Sequence, residues 1–193
     1  MKVNFKRMTL AAAFVVGLST PKVQAQLKGG ENLVNVGLGF GSAYSYASGY
    51  KGFPAVSVSF ERVIPKQLGP GLLAVGGIIT RRSIAHKFKG YDGEGVDYDY
   101  KNRYTNTVVG VRGTYHWEQL NTEKYDVYGG VQTGLRFENY KSKWEDETIK
   151  DKYTHFYGSV IVGGRYYFTS NLSAFAELGY DVTWTKIGIS AKF

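Results

Sequence analysis

The chain has 193 residues, 24 Lys and Arg against 16 Asp and Glu, a formal charge of +8 and no cysteine. Without cysteine there is no disulfide, no thiol chemistry and no lipoprotein anchor, and the length fits one domain. The mean hydropathy of −0.26, with no apolar run of spanning length beyond residue 25, excludes a helical membrane protein.

The front of the chain is an export pattern. Lys2, Lys6 and Arg7 precede an apolar run from Leu10 to Leu18, Pro21 breaks it, and Val23-Gln24-Ala25 offers a small residue for cleavage. This is a secretory signal peptide, too short to span a bilayer. The expected organisation is a signal peptide over 1–25 and one barrel domain over 26–193. Export removes Lys2, Lys6, Arg7 and Lys22 and no acid, so the formal charge falls from +8 to +4. The basic balance is thus partly a property of the leader and does not argue for a nucleic-acid partner.

The rest of the chain has a period of two, which places successive side chains on opposite faces of a strand. Val34, Val36, Leu38 and Phe40 alternate with Asn35, Gly37 and Gly39, and Val56, Val58 and Phe60 with Ser57, Ser59 and Glu61. Residues 72–80 are apolar or glycine on both faces and are taken as a strand because the count must close. Val109, Val111, Tyr115 and Trp117 alternate with Arg112, Thr114 and His116. Val127, Val131, Leu135 and Phe137 alternate with Asp126, Tyr128, Gln132, Arg136 and Glu138. Phe156, Val160, Val162 and Tyr166 alternate with His155, Ser159 and Arg165. Leu172, Ala174, Ala176 and Leu178 alternate with Ser173, Glu177 and Asp181. In the last strand Thr185, Ile187, Ile189, Ala191 and Phe193 oppose Trp184, Lys186, Gly188, Ser190 and Lys192.

These segments predict an all-β fold, an eight-stranded antiparallel up-and-down transmembrane β-barrel. Its strands are expected at 31–42, 53–62, 72–82, 103–117, 124–138, 154–168, 172–181 and 184–193. An even count returns both ends to one side. Connections at 63–71, 118–123 and 169–171 are then periplasmic turns. Those at 43–52, 83–102 and 139–153 are longer, charged outer loops, and 181–183 is a tight outer turn. A soluble barrel would put its apolar faces inside. Here the apolar faces of the last five strands carry no charge between their aromatic ends, which suits lipid. Tyr115, Trp117, Tyr125, Tyr166, Phe168 and Phe193 are expected at the periplasmic interface. Tyr44, Phe53, Tyr104, Phe137, Phe156 and Tyr180 are expected at the outer one.

The pattern, closed by the terminal strand Ile187-Gly188-Ile189-Ser190-Ala191-Lys192-Phe193, resembles the small eight-stranded outer-membrane proteins of the OmpA/OmpX type. The Ile-, Gly- and Tyr-rich strands look like Bacteroidota outer membrane protein beta-barrel domain sequences. The resemblance implies the cell outer membrane of a Gram-negative bacterium. It also implies surroundings of outer-membrane lipid and recognition of Phe193 and its strand by the barrel-assembly machinery. A bare, monomeric barrel without a periplasmic peptidoglycan-binding domain is expected.

The inward set holds Glu61, Arg112, Asp126, Arg136, Glu138, Arg165, Glu177 and Lys186, four charges of each sign. Eight strands enclose room for side chains only, so these charges must pair, with Glu177 expected beside Arg165. No catalytic, cofactor or metal set emerges. His155 and Ser159 near Glu138 do not make a nucleophile–base pattern, because Tyr157 stands where a serine would be needed. The acids Asp92, Glu94, Asp97 and Asp99 lack calcium-loop spacing. Function is therefore expected to be non-enzymatic: an envelope structural or surface-interaction and adhesion role carried by the outer loops. A narrow channel and a lipid-modifying enzyme are the alternatives.

Overall fold

The computed structural model describes residues 26–41, 50–91, 97–144 and 147–193; the expected signal peptide and Tyr44 lie outside these. The strands are β1 (Asn32–Phe40), β2 (Lys51–Gly52), β3 (Ala55–Leu68), β4 (Gly71–Tyr91) and β5 (Asp97–Trp117). They continue as β6 (Tyr125–Trp144), β7 (Glu147–Tyr167), β8 (Leu172–Gly179) and β9 (Thr185–Lys192). Sequential antiparallel pairing runs from β1 through β3 to β9, and β9 pairs back onto β1 with Val36 opposite Ile189. The ring of eight is closed, and β2 adds a two-residue rung beside β4.

Closure satisfies the backbone without an open edge, as a bilayer requires. The two faces are the inverse of a soluble barrel. Val36, Val58, Ile79, Val111, Val131 and Val160 are exposed on the outside, whereas Glu61, Arg112, Asp126, Arg165 and Glu177 are buried within. The stretch apolar on both faces resolves cleanly: Leu72, Ala74 and Ile78 fill the interior, and Val75 and Ile79 face out. Inward glycines give the larger rings their space. A Cβ on Gly163 would lie 2.7 Å from the Tyr128 ring, and one on Gly37 would lie 2.8 Å from that of Phe175.

The largest departure from expectation lies above the membrane. Residues 83–102 and 139–153 are not long loops. β4 and β5 stay paired from Gly71↔Trp117 to Tyr91↔Asp97, and β6 and β7 from Tyr125↔Tyr166 to Trp144↔Glu147. β4 to β7 run 20–21 residues, against 8–9 for β1, β8 and β9. A membrane crossing needs only about 9–11. One half of the barrel therefore rises as a four-stranded wall well beyond the lipid. At the opposite rim the predicted 63–71 turn shrinks to Gly69–Pro70, because β3 continues to Leu68; Gly69 takes the left-handed φ of +61° that so tight a turn needs.

The aromatic belts are in part as expected. Tyr125 and Tyr166 meet at 5.2 Å, and Tyr115 and Trp117 at 5.5 Å, at one rim. Tyr104 is a correction, because it points to the inner side of the wall, 4.7 Å from the Tyr140 ring. Trp184 is another. It precedes β9, turns outward and packs edge-on against Tyr180 at 4.9 Å, joining the outer belt.

With the wall outside, a protease site inserted at Gly93 should be cut on intact cells, and one inserted in the 118–124 turn should be cut only after the outer membrane is opened. The reverse cleavage pattern would invert the barrel.

Candidate functional site: a stoppered lumen beneath a tall polar wall

The lumen is filled in three tiers. At the mouth opposite the wall Leu27, Leu33, Val63, Leu72 and Ala74 form an apolar cap. Beside it Lys192 reaches Glu31 at 3.2 Å. The middle tier is ionic. Glu61, wholly buried, accepts from Asn35 (2.9 Å) and Thr114 (2.5 Å). Arg165 donates to Glu61 at 3.4 Å, while the Arg112 Nε lies within ion-pair distance at 3.5 Å without the alignment of a hydrogen bond. Arg165 also donates to Asp126 at 2.7 Å and lies 4.2 Å over the Tyr128 ring, a cation–π contact. Arg112 donates to Glu177 at 2.7 Å, and the Tyr128 hydroxyl donates to the same carboxylate at 2.9 Å.

The expected Arg165–Glu177 pair is therefore corrected. Glu177 stands opposite Gly163, and Arg165 opposite Phe175, so the two are nearly level on neighbouring strands. Each reaches elsewhere in the lumen instead. Arg112 on β5 is separated from β8 by β6 and β7 and still meets Glu177, because a narrow lumen lets a long guanidinium cross it. Arg136 and Glu138 face inward but sit above the buried tier, 3.9 Å apart and partly exposed. Lys186 is buried and pairs with Asp181.

Asp181, His116 and Lys192 are buried ionisable residues missing from the inward set deduced from sequence, Lys192 lying at the mouth beside Glu31. The Thr114 hydroxyl proton goes to Glu61, so its oxygen accepts from His116 Nε2 at 3.1 Å. The His116 Nδ1 faces the Asp126 carboxylate at 2.8 Å. The ring is thereby held between the Thr114 hydroxyl and the Asp126 carboxylate. The buried tier becomes Arg112, Arg165 and Lys186 among Glu61, Asp126, Glu177 and Asp181, with the His116 ring beside Asp126. Period two already put His116 and Asp181 on the polar face; what it lacked was their depth.

The upper tier is the 180–184 turn, which folds into the barrel. Asp181 accepts from the backbone N–H groups of Val182 and Thr183, and from Gln132 at 3.3 Å. Val182, 1% exposed, packs on Val108 and Tyr157 across the lumen. Between Gln132, Glu177, Asp181 and Lys186 the remaining void is about 10 Å³, room for one water at most. A 220 Å³ vestibule opens at the other mouth, between Leu27, His116 and Asn121. A concavity of about 770 Å³ lies over Ala174 and Ala176 on the lipid-facing wall. Among the described residues no cluster of His, Asp and Glu could hold a metal ion.

No family model matches the chain, and no curated protein matches it. Among solved structures it is similar to the N-terminal β-barrel domain of Pseudomonas aeruginosa OprF, at 16% identity and a TM-score of 0.45, over 86% of this chain and 100% of that one. It is also similar to Ail, the attachment invasion locus protein of Yersinia pestis, at 13% identity and a TM-score of 0.45, over 86% and 99% of the two chains.

Proposed function

We propose that the protein is a non-enzymatic, non-conducting barrel of the Gram-negative outer membrane, which works by holding a rigid polar wall above the outer leaflet. The observation that carries this reading is the combination of a stoppered lumen with four strands that outrun the bilayer. The lumen leaves no continuous path, and the buried charges are used up on one another. Catalysis finds no support in the histidines. His116 is locked in the buried tier, and the His155 ring stacks beside that of Tyr153, with centroids 6.3 Å apart. The export pattern of residues 1–25 and the terminal strand ending in Phe193 fit delivery to the outer membrane and assembly there as a monomer. The wall supplies the surface for envelope contacts or adhesion.

Purified protein in planar bilayers should give no steady ion current. Large, stable, weakly selective currents would overturn the stopper and promote the channel. A mass shift in the membrane glycolipid on deletion of the gene would promote the enzyme.

A further inference from the structure

The outward face of the wall changes character along each strand. On β4 it reads Ile79, Arg81, Ser83, Ala85, Lys87, and on β5 Val109, Thr107, Thr105, Arg103, Lys101. On β6 it reads Phe137, Asn139, Lys141, Lys143, and on β7 Phe156, Thr154, Lys152, Lys150. The lipid-facing apolar surface thus passes, without a break, into hydroxyls and then into cations. No Asp or Glu occupies any of these outward positions. Glu138, Glu147 and Asp151 alternate onto the other side of the sheet, with Tyr104, Tyr140 and Tyr153, whereas Asp99 and Asp97 continue the outward parity of β5 beyond Lys101, at the tip of the wall.

Strand register draws the cations together. Lys87 stands opposite Lys101, and Lys101 opposite Lys143. Arg103 stands opposite Lys141, and Lys141 opposite Lys150. Like charges directly across an antiparallel pair destabilise a sheet. The Lys101 ammonium accordingly sits below the ordinary lysine range, pushed down chiefly by Arg103 and Lys87. Among the described residues no carboxylate pairs with any of these side chains. Between the tip and the lipid face this paired lattice of cations has no acid on its own side of the sheet, and it calls for anions from the membrane side.

Height selects the anion. Each outward step is two residues, about 6.7 Å along the strand, and about 5 Å along the bilayer normal at the usual tilt. The cations begin with Arg81, one step past Ile79, and end with Lys87 and Lys101, four steps past Ile79 and Val109. They cover roughly 15 Å of height, whereas a glycerophospholipid headgroup layer is only about 5–7 Å thick. A lipid carrying phosphates on several stacked sugars fills that depth.

We propose that the outward face of the wall is a docking surface for phosphorylated glycolipid of the outer leaflet, with Arg103, Lys101, Lys141 and Lys143 at its centre. This rests on the barrel spanning the outer membrane with the wall outside. The glycolipid neutralises the lattice and braces the wall against the leaflet.

The test uses the mature chain folded into phosphatidylcholine vesicles doped with rough-type lipopolysaccharide, with the same lipid enzymatically dephosphorylated, or with phosphatidylglycerol. Trypsin cleavage at the wall lysines is timed in each. Lipopolysaccharide should slow cleavage at least tenfold, and its dephosphorylated form should not. The variant K101Q/K141Q/K143Q should lose this protection at the sites it keeps on the wall, among them Lys87, Arg103 and Lys150, while keeping the heat-modifiable gel mobility of a folded barrel. Equal protection by phosphatidylglycerol would reduce the surface to a general response to anionic lipid and overturn the glycolipid. Stronger protection by a soluble sulfated polysaccharide would overturn a membrane source. Insertion without protection in any vesicle would overturn the docking surface alone, whereas failure of the wild-type chain to insert would strike at the barrel reading itself.

Discussion

Glu61→Ala should be the most damaging single truncation in the barrel. The carboxylate accepts from Asn35 and Thr114, and both Arg112 and Arg165 lie within ion-pair distance of it. Neither guanidinium can turn to water, since both are buried. Removing one partner of a buried ion pair costs about 3–5 kcal/mol, and here one acid serves two bases. Glu177→Ala should cost less, because Arg112 keeps Glu61 while Arg165 is untouched. Glu61→Gln should fall between the two, retaining one acceptor oxygen, for either Asn35 or Thr114, but not the charge. Urea unfolding in vesicles, followed by heat-modifiable mobility, gives the order. A Glu61→Ala barrel with the wild-type midpoint would mean that the middle tier is not the stabilising network its geometry describes.

The same tier shows what alternation can and cannot reveal. Asn35, Glu61, Arg112, Thr114, His116, Asp126, Arg165 and Glu177 all fall on the polar parity of their strands, so each could be placed inside from sequence alone. Parity gives a face. It gives neither depth nor the direction in which a long side chain leans. Arg165 and Glu177 were matched by level on adjacent strands, yet in a lumen this narrow the strand opposite is as near as the neighbour. The register that decides such pairings moves in steps of two without changing any face.

The wall was misread for a different reason. Outside lipid a strand needs no apolar face, so residues 83–102 and 139–153 offered no hydrophobic period. Their alternation is of another kind: Tyr100, Asn102 and Tyr104 against Lys101 and Arg103, then Tyr140 and Ser142 against Lys141 and Lys143. Aromatic and hydroxyl residues on one side and cations on the other still make a strand, because cross-strand pairs, rather than burial in lipid, hold it. The Tyr140 hydroxyl donates to Asn102 at 3.0 Å, and Ser83 and Thr105 share a hydrogen bond at 3.1 Å. Charge-rich, tyrosine-rich segments flanking a barrel strand deserve a period-two test before being assigned as loops.

Val131→Arg should be costly in lipid and far less so elsewhere. Val131 stands mid-strand on β6, between Gly113 and Val160, and is 62% exposed on the outer face. Arginine at the bilayer midplane of a barrel costs about 2–4 kcal/mol. Gln132, the next residue, is buried and donates to Asp181. Gln132→Arg also destabilises, but by crowding the lumen and setting a new cation beside Lys186. The two penalties differ in what relieves them. A lipid-facing arginine is relieved when the hydrocarbon is thin enough for its head to snorkel to the interface. A lumenal one is indifferent to the solvent outside. Unfolding midpoints measured in long-chain vesicles and again in short-chain vesicles separate them: the Val131→Arg deficit should shrink in the thinner bilayer, and the Gln132→Arg deficit should hold. If Val131→Arg folds into long-chain vesicles as readily as the wild type, the outward face does not meet hydrocarbon at that depth. The inside-out reading of the barrel would then fail at its centre.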